Sequence, residues 1–267
     1  MRRRTLALIG AALITAITAL STYPPASAWL GARQDAAVLT AHAQAVTTLP
    51  ESDRVRRLDD ARRWNLTRDD DIDPASVLAV DTPSGLIGSL SIPATGQVLP
   101  MYYGDDDQTL KNGVGVVPGS SLPVGGVGTR SVISGHSGLP SRPLFTDLHR
   151  LSVGDTFSVT VLSHTLTYRV VSIDTVTPDD VAALKPEEDR DLVTLLTCTP
   201  IGINSHRLLV TGERVADEDS SQAPALTLPE PGFPWWAVGD LAGLTVAATY
   251  MGVTVRGKGQ LSEARGA

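Results

Sequence analysis

Hydrophobic and polar positions divide this chain into two apolar ends and a mixed middle. Residues 2–4 are arginines, and no charged side chain follows until Arg33. The apolar stretch Thr5–Leu20, extended by Ser21, Thr22 and Tyr23, is long enough to cross a bilayer as a helix. Basic residues ahead of it predict a cytoplasmic N-terminus. Ala26-Ser27-Ala28 has the small-x-small form of a cleavage site, so a cleaved signal peptide is the alternative to an anchor. Both readings export the chain. At the other end, Phe233–Val255 is 23 residues with Asp240 as its one charge, and Arg256 and Lys258 follow. This pattern predicts a second span with a cytoplasmic C-terminus and Trp235-Trp236 at the outer interface. A buried C-terminal helix is the alternative.

The middle changes texture once. Residues 33–66 are rich in Ala, Arg, Asp and Leu, which predicts helices over Arg33–Thr48 and Ser52–Asn65, with Ser52 as a cap. The mixed charges from Arg54 to Arg63 read as a solvated helix face. Arg68–Asp73 holds four aspartates but lacks the glycine and terminal glutamate of a calcium loop, so it reads as a polar connection. From Leu86 onward, short β-favouring runs alternate with Gly and Pro. The runs are Leu86–Ile92, Val98–Tyr103, Arg130–Ser134, Thr156–Leu162, Thr165–Ile173, Leu192–Cys198 and His206–Thr211. Such spacing predicts an antiparallel barrel or sandwich. Pro143–Arg150 reads as one short helix, and Ala216–Gly232 as a linker. The expected organisation is an anchor or signal over 1–32, a helical region over 33–85, and a β-domain over 86–215. A linker over 216–232, a span over 233–255 and a tail over 256–267 complete it.

Composition narrows the function classes. Hydrophobic residues at 42% and charged residues at 19% exclude a largely disordered chain. A net charge of −7 argues against nucleic-acid binding. A single cysteine excludes an intramolecular disulfide and any cysteine-cluster metal site. No cofactor or metal is expected.

That cysteine, Cys198, ends the run Val193–Cys198. A lone cysteine is often a small buried hydrophobe. In an exported protein an unpaired thiol is an oxidation liability, so its presence suggests a use. A cysteine nucleophile needs a base or a cation nearby, because the thiolate is the reactive form. Arg207 opens the strand that follows, across the loop Thr199–Ser205. Side chains alternate along a strand, so His206 faces away if Arg207 faces the thiol. A surface cation is the plainer reading of Arg207. Of the five histidines, His42 lies in the helical front, His149 follows the short helix and His164 sits in a hairpin turn. His136, in Ser134-Gly-His-Ser-Gly138, is the best candidate base. Glycines on both sides let its backbone approach another strand closely.

The segment Thr194-Leu-Leu-Thr-Cys-Thr-Pro-Ile-Gly-Ile-Asn-Ser-His-Arg-Leu-Leu-Val-Thr-Gly212 resembles the active-site strand pair of sortases. Ser120–Gly126, Ser131–Pro140 and Leu144–Leu148 resemble the same family. The likeness runs over roughly Leu86–Val215 and is nearest to the class C, pilin-polymerising sortases. The resemblance implies a closed β-barrel of about eight strands with short helices, a helical and lid segment ahead of it, and flanking transmembrane helices. It implies that Cys198 attacks the Thr–Gly bond of an LPxTG-like sorting signal to give a thioester. His136 would move the proton. Arg207 would hold the substrate and the oxyanion. The acceptor would be a pilin lysine. A sortase that anchors surface proteins to the cell-wall peptide is the nearest alternative, and a non-catalytic exported β-domain the most distant. The class lid carries an Asp-Pro-aromatic motif. Asp73-Pro74-Ala75 stands in its place, which leaves Asp73 to pair with Arg207 but gives no ring to cover Cys198. Ile201 stands where the class often has Tyr, and Thr197 reads as structural support with its side chain on the opposite face. The expected partners are sorting signals, an acceptor amine and the membrane.

Overall fold

The computed structural model describes residues 2–80, 85–139, 142–215 and 232–256. Most of the expected linker (216–231) and nearly all of the expected tail (257–267) lie outside the described residues.

The chain divides into two compact units, residues 1–32 with 231–267, and Arg33–Glu230. In the first unit, helix α1 (Arg2–Thr48) begins and helix α4 (Trp235–Arg256) lies. Among the described residues one stretch, Leu8–Thr48, is long and apolar enough to cross a membrane. Its charge-free part ends at Ala32. There Leu8, Ile9, Leu13, Ile17 and Leu20 point outward, as side chains facing lipid would. Thr15 and Thr18 donate their hydroxyls to the carbonyls of Ala11 and Ile14, one turn back along the helix. Within this unit Trp29 meets Trp236 edge-on at 6.2 Å and donates to the Gly232 carbonyl at 2.8 Å.

The second unit is a closed barrel of eight strands. They are β1 (Leu86–Ile92), β2 (Gln97–Tyr103), β3 (Val114–Val116), β4 (Thr129–Ser134), β5 (Thr156–Val161), β6 (His164–Val176), β7 (Asp191–Thr199) and β8 (His206–Arg214). The order around the barrel is β1-β2-β3-β4-β7-β8-β6-β5, closed by the β1–β5 pair. Two neighbouring pairs, β2–β3 and β4–β7, are parallel, so the barrel is not purely antiparallel as the turn spacing suggested. Helix α2 (Glu51–Thr67) and the short α3 (Asp107–Asn112) pack outside it. Alternation decides the interior. In β5 Phe157, Val159 and Val161 point inward, and Phe157 stacks on Tyr168 of β6 at 5.7 Å. Gly212 of β8 makes room for that pair, since a Cβ there would lie 2.6 Å from the Phe157 ring.

Several expectations are corrected. Arg33–Thr48 is no separate helix but the continuation of α1. Ser52 caps nothing, because the second helix starts at Glu51 behind Pro50. Pro143–Arg150 forms turns closing in a 3-10 turn at Leu148–Arg150. The β5–β6 turn is Leu162-Ser163, both at positive φ, and His164 already belongs to β6. Strand β3 and helix α3 had no expectation, being too short for a period to show.

The front of the second unit is fastened to the barrel. Leu58, Ala61 and Trp64 of α2 are buried. Asn65 exchanges two hydrogen bonds with the backbone of Leu122, at 2.9 and 2.7 Å. Arg57 donates to the Ala79 carbonyl at 2.7 Å, and Ile72, Leu78 and Val80 are buried in the core.

Candidate active site

Strands β7 and β8 run antiparallel with Cys198 directly opposite Arg207, and Thr199 opposite His206. Opposed residues share a face with Cβ atoms about 5 Å apart, so both side chains leave the sheet on the same face. His206 faces the other way, exposed, with its ring beside the Ser205 hydroxyl. Cys198 is half-buried. Arg207 donates through Nη1 to the carbonyls of Asn204 and His206, both at 3.1 Å. Its charge is therefore held at the mouth of the β7–β8 loop.

His136 follows β4 and is drawn to the same end of β7 by its neighbours. The Gly135 N–H donates to the Leu196 carbonyl at 3.1 Å, extending the parallel β4–β7 ladder by one residue. The Thr197 hydroxyl donates to the Gly135 carbonyl at 2.7 Å. The Ser137 hydroxyl donates to the Cys198 carbonyl at 2.7 Å. Both residues flanking the histidine are thus bonded to β7 over Leu196–Cys198. Thr197 is buried, and its part is to hold this loop. The Phe145 N–H donates to the His136 carbonyl at 3.0 Å, and the Gly138 N–H to the Thr146 hydroxyl at 2.9 Å. Ser137, Phe145, Thr146 and Asp107, which lies 3.7 Å from His136 Nε2, are site residues the sequence pattern did not single out. Ser131–Pro140 and Leu144–Leu148 contain three of them, and Asp107 lies in neither.

The fit beneath the histidine is tight. A Cβ on Gly135 would lie 2.7 Å from the Phe145 ring, and Phe145 is fully buried. Gly135→Ala is expected to cost about 1–3 kcal/mol through overpacking and to lower turnover as well, because the displaced loop carries His136. Thermal unfolding and turnover of the same protein check both parts.

Ile201 closes the other rim. A Cβ on Gly138 would come 2.5 Å from its Cγ2, so the His136 loop and the β7–β8 loop touch there. Ile201 and Ile203 are exposed apolar side chains. Asp73 and Pro74 lie in the turn before β1. The Asp73 carboxylate accepts from the Ala75 N–H at 3.0 Å, and Arg207 is bonded to its own loop. Among the described residues no Asp73–Arg207 ion pair forms, so the expected latch is not made in this conformation. Asp73 instead lies near Tyr103, whose hydroxyl is pushed up first by burial and then by that negative charge. Among the described residues no group of three His, Cys, Asp or Glu side chains is placed to hold a metal. A cleft of about 460 Å³ bordered by Arg62, His164, Asp191 and Arg214 lies at the far rim, where β4 and β7 begin.

The sortase domain family matches residues 90–215, a range that contains the cysteine, the histidine and the arginine just described. Sortase C1 of GBS pilus island 1 shares 38% identity at a TM-score of 0.63, over 67% of this chain and 91% of that one. The chain belongs to the sortase family. Sortase C of Streptococcus pneumoniae is similar at 39% identity and a TM-score of 0.63, over 67% of this chain and 96% of that one. Sortase A of Bacillus anthracis is 29% identical over 130 residues, 49% of this chain and 60% of that protein. The chain spans 54–63% of the length of the curated sortases it matches. Members of the family are cysteine transpeptidases, and the solved neighbours are sortases C.

Proposed function

We propose that this sortase is a class C transpeptidase that joins pilin subunits. The observation that carries the chemistry is the register: Cys198 opposite Arg207, with the residues on both sides of His136 bonded to the end of β7.

In the first half-reaction the Cys198 thiolate attacks the threonine carbonyl of an LPxTG-like signal. Negative charge builds on that oxygen, beside the Arg207 guanidinium. The Thr–Gly bond breaks, His136 gives its proton to the leaving glycine amine, and a thioester remains. In the second half an incoming lysine amine attacks the thioester. His136 takes the proton the amine loses, the C–S bond breaks, and an isopeptide bond forms. No cofactor enters these steps.

The class C reading draws on the solved neighbours. One of them was studied as a lid mutant, so that protein has a lid. Here Asp73-Pro74 occupies the corresponding stretch with Ala75 in place of a ring, giving a lid that leaves the thiol less covered. Ile201 and Ile203 are exposed on the β7–β8 loop beside Cys198 and offer apolar contact to the leucine and proline of the signal. The Arg2–Arg4 cluster and the basic residues after α4 support both termini at the cytoplasmic face, with the barrel outside.

Intact-mass spectrometry of the full chain in detergent, incubated with an LPxTG peptide, tests the reading. The expected result is an adduct equal to the peptide cleaved after threonine. A lysine-bearing pilin peptide should discharge it to a new amide. Discharge by a cell-wall-type peptide amine alone would favour wall anchoring. Release of a free threonine carboxylate alone would indicate hydrolysis. No adduct, with Asp73→Ala equally silent, would overturn the sortase reading of this site.

A further inference from the structure

Helix α3 begins with two aspartates that have different tasks. Asp106 is the cap: its carboxylate accepts from the N–H groups of Gln108 and Thr109 at 3.0 and 3.1 Å and from the Thr109 hydroxyl at 2.6 Å. That satisfies the first turn of a six-residue helix. Asp107 is not needed for it. Its Oδ2 receives the Lys111 ammonium at 2.5 Å, and its Oδ1 lies 3.7 Å from His136 Nε2.

The placement is fixed from both sides. Arg142, on the same loop as His136, donates to the Lys111 carbonyl at 2.9 Å. A Cβ on Gly115 of β3 would lie 1.9 Å from the Gly104 carbonyl oxygen, so the turn before α3 sits hard against the barrel. The helix and the histidine loop are therefore joined at two points.

We propose that Asp107 is a positioning residue for His136, stabilising its protonated ring, and that Lys111 opposes it by sharing the same carboxylate. The inference deepens the transpeptidase reading and rests on it for its functional meaning. A protonated His136 is the form that serves the leaving glycine amine and keeps the thiolate charged. Other charged groups in this region are Asp106 beside Asp107 on α3 and Arg142 on the histidine's own loop, with Cys198 and Arg207 at the paired ends of β7 and β8. Arg142 is paired with Asp35. Asp107 is the carboxylate in ion-pair range of the ring among the described residues. Its carboxyl is held below the ordinary range by the Lys111 hydrogen bond and charge first, then by His136.

Asp107 is 72% exposed, so the coupling is a surface one and salt screens it.

The test is a titration of the His136 ring by NMR, on the full chain in detergent with isotope-labelled histidine. It is run at low salt and in 1 M salt on wild type, Asp107→Asn, Asp107→Glu and Lys111→Ala. At low salt Asp107→Asn should lower the His136 pKa by about 0.2–0.7, and Lys111→Ala should raise it by a similar amount. Asp107→Glu should restore it, and the shifts should shrink in 1 M salt. The limb of the kcat/KM profile set by His136 should move with each. An unmoved pKa in Asp107→Asn would overturn the proposal. So would shifts of one sign in both variants, or shifts indifferent to salt, since these mark a structural disturbance. The titration does not require turnover, so an inactive protein would still give it. Failure here and failure of the transpeptidase reading are therefore told apart.

Discussion

Cys198→Ala is expected to abolish thioester formation, and Arg207→Ala to slow it by about 10²–10³-fold. The first follows because this is the only thiol in the chain, and no other group can form the bond. The second follows from register. Arg207 stands opposite Cys198, so its charge acts where the carbonyl oxygen turns negative. Its hydrogen bonds go to two loop carbonyls at the surface, which water can replace. Folding should therefore change by no more than about 0.5 kcal/mol. Arg207→Lys is the sharper variant. It keeps the charge but loses the planar fork, and should recover only part of the rate. Adduct formation by intact mass over time, with thermal unfolding of each variant, separates chemistry from stability. An Arg207→Ala protein that acylates at the wild-type rate would remove Arg207 from the mechanism.

The parts of this site that were legible share one property: each is a short local pattern. Cys198 closes a β-run, Arg207 opens the next, and alternation alone puts His206 on the other face. The β7–β8 register then makes the pair. His136 was found by elimination and by its glycines, and the tight packing at Gly135 gives that spacing its physical meaning. What was not legible depends on chain separation. The parallel β4–β7 ladder joins residues such as Ser131 and Val193, and nothing in either run reports the other. Strand β3 is Val-Gly-Val, too brief to show alternation, yet it bridges β2 and β4 and so completes the barrel wall beneath the histidine loop. Ser137 reads as one more polar loop residue until its hydroxyl is seen on the Cys198 carbonyl. Asp107 carries no pattern because α3, at six residues, is too short for a period to show. The Asp73-Pro74 pair was legible as a motif, but its partner is set by where the turn lies, and the carboxylate bonds to its own backbone instead.

Stability is expected to depend on pH through Asp35, by about 2 kcal/mol between pH 4 and 7. From Arg33 on, α1 belongs to the barrel unit, and Leu39 packs with Leu86 of β1 and Tyr102 of β2. Asp35 pairs there with Arg142 at 2.5 Å, and both side chains are 13% exposed. Burial pushes the Asp35 carboxyl up to about 6, and the attraction and hydrogen bond of Arg142 only partly offset it. In the unfolded chain the group titrates near its ordinary value of 3.8. Between those values the folded protein keeps a proton that the unfolded chain has released. This contribution is full below pH 4 and is lost as pH rises through 6. His42, about two turns further along the helix, has the opposite sign. Its ring is buried, Nδ1 has no partner among the described residues, and burial lowers its pKa. Its contribution is present above pH 6.5 and fades as the unfolded chain takes up a proton below it. The two slopes oppose each other over the same helix, so the wild-type profile alone would hide both. Asp35→Asn removes only the first. Denaturant unfolding of both proteins at pH 4.5 and 7.5 should show the wild type gaining on the variant by about 2 kcal/mol at the lower pH. The constant offset from leaving Arg142 without its carboxylate cancels in that difference. A difference that does not change with pH would mean that Arg142 compensates the burial fully. Because Arg142 also sits on the His136 loop and bonds the Lys111 carbonyl, turnover measured across the same range would show whether docking of α1 reaches His136.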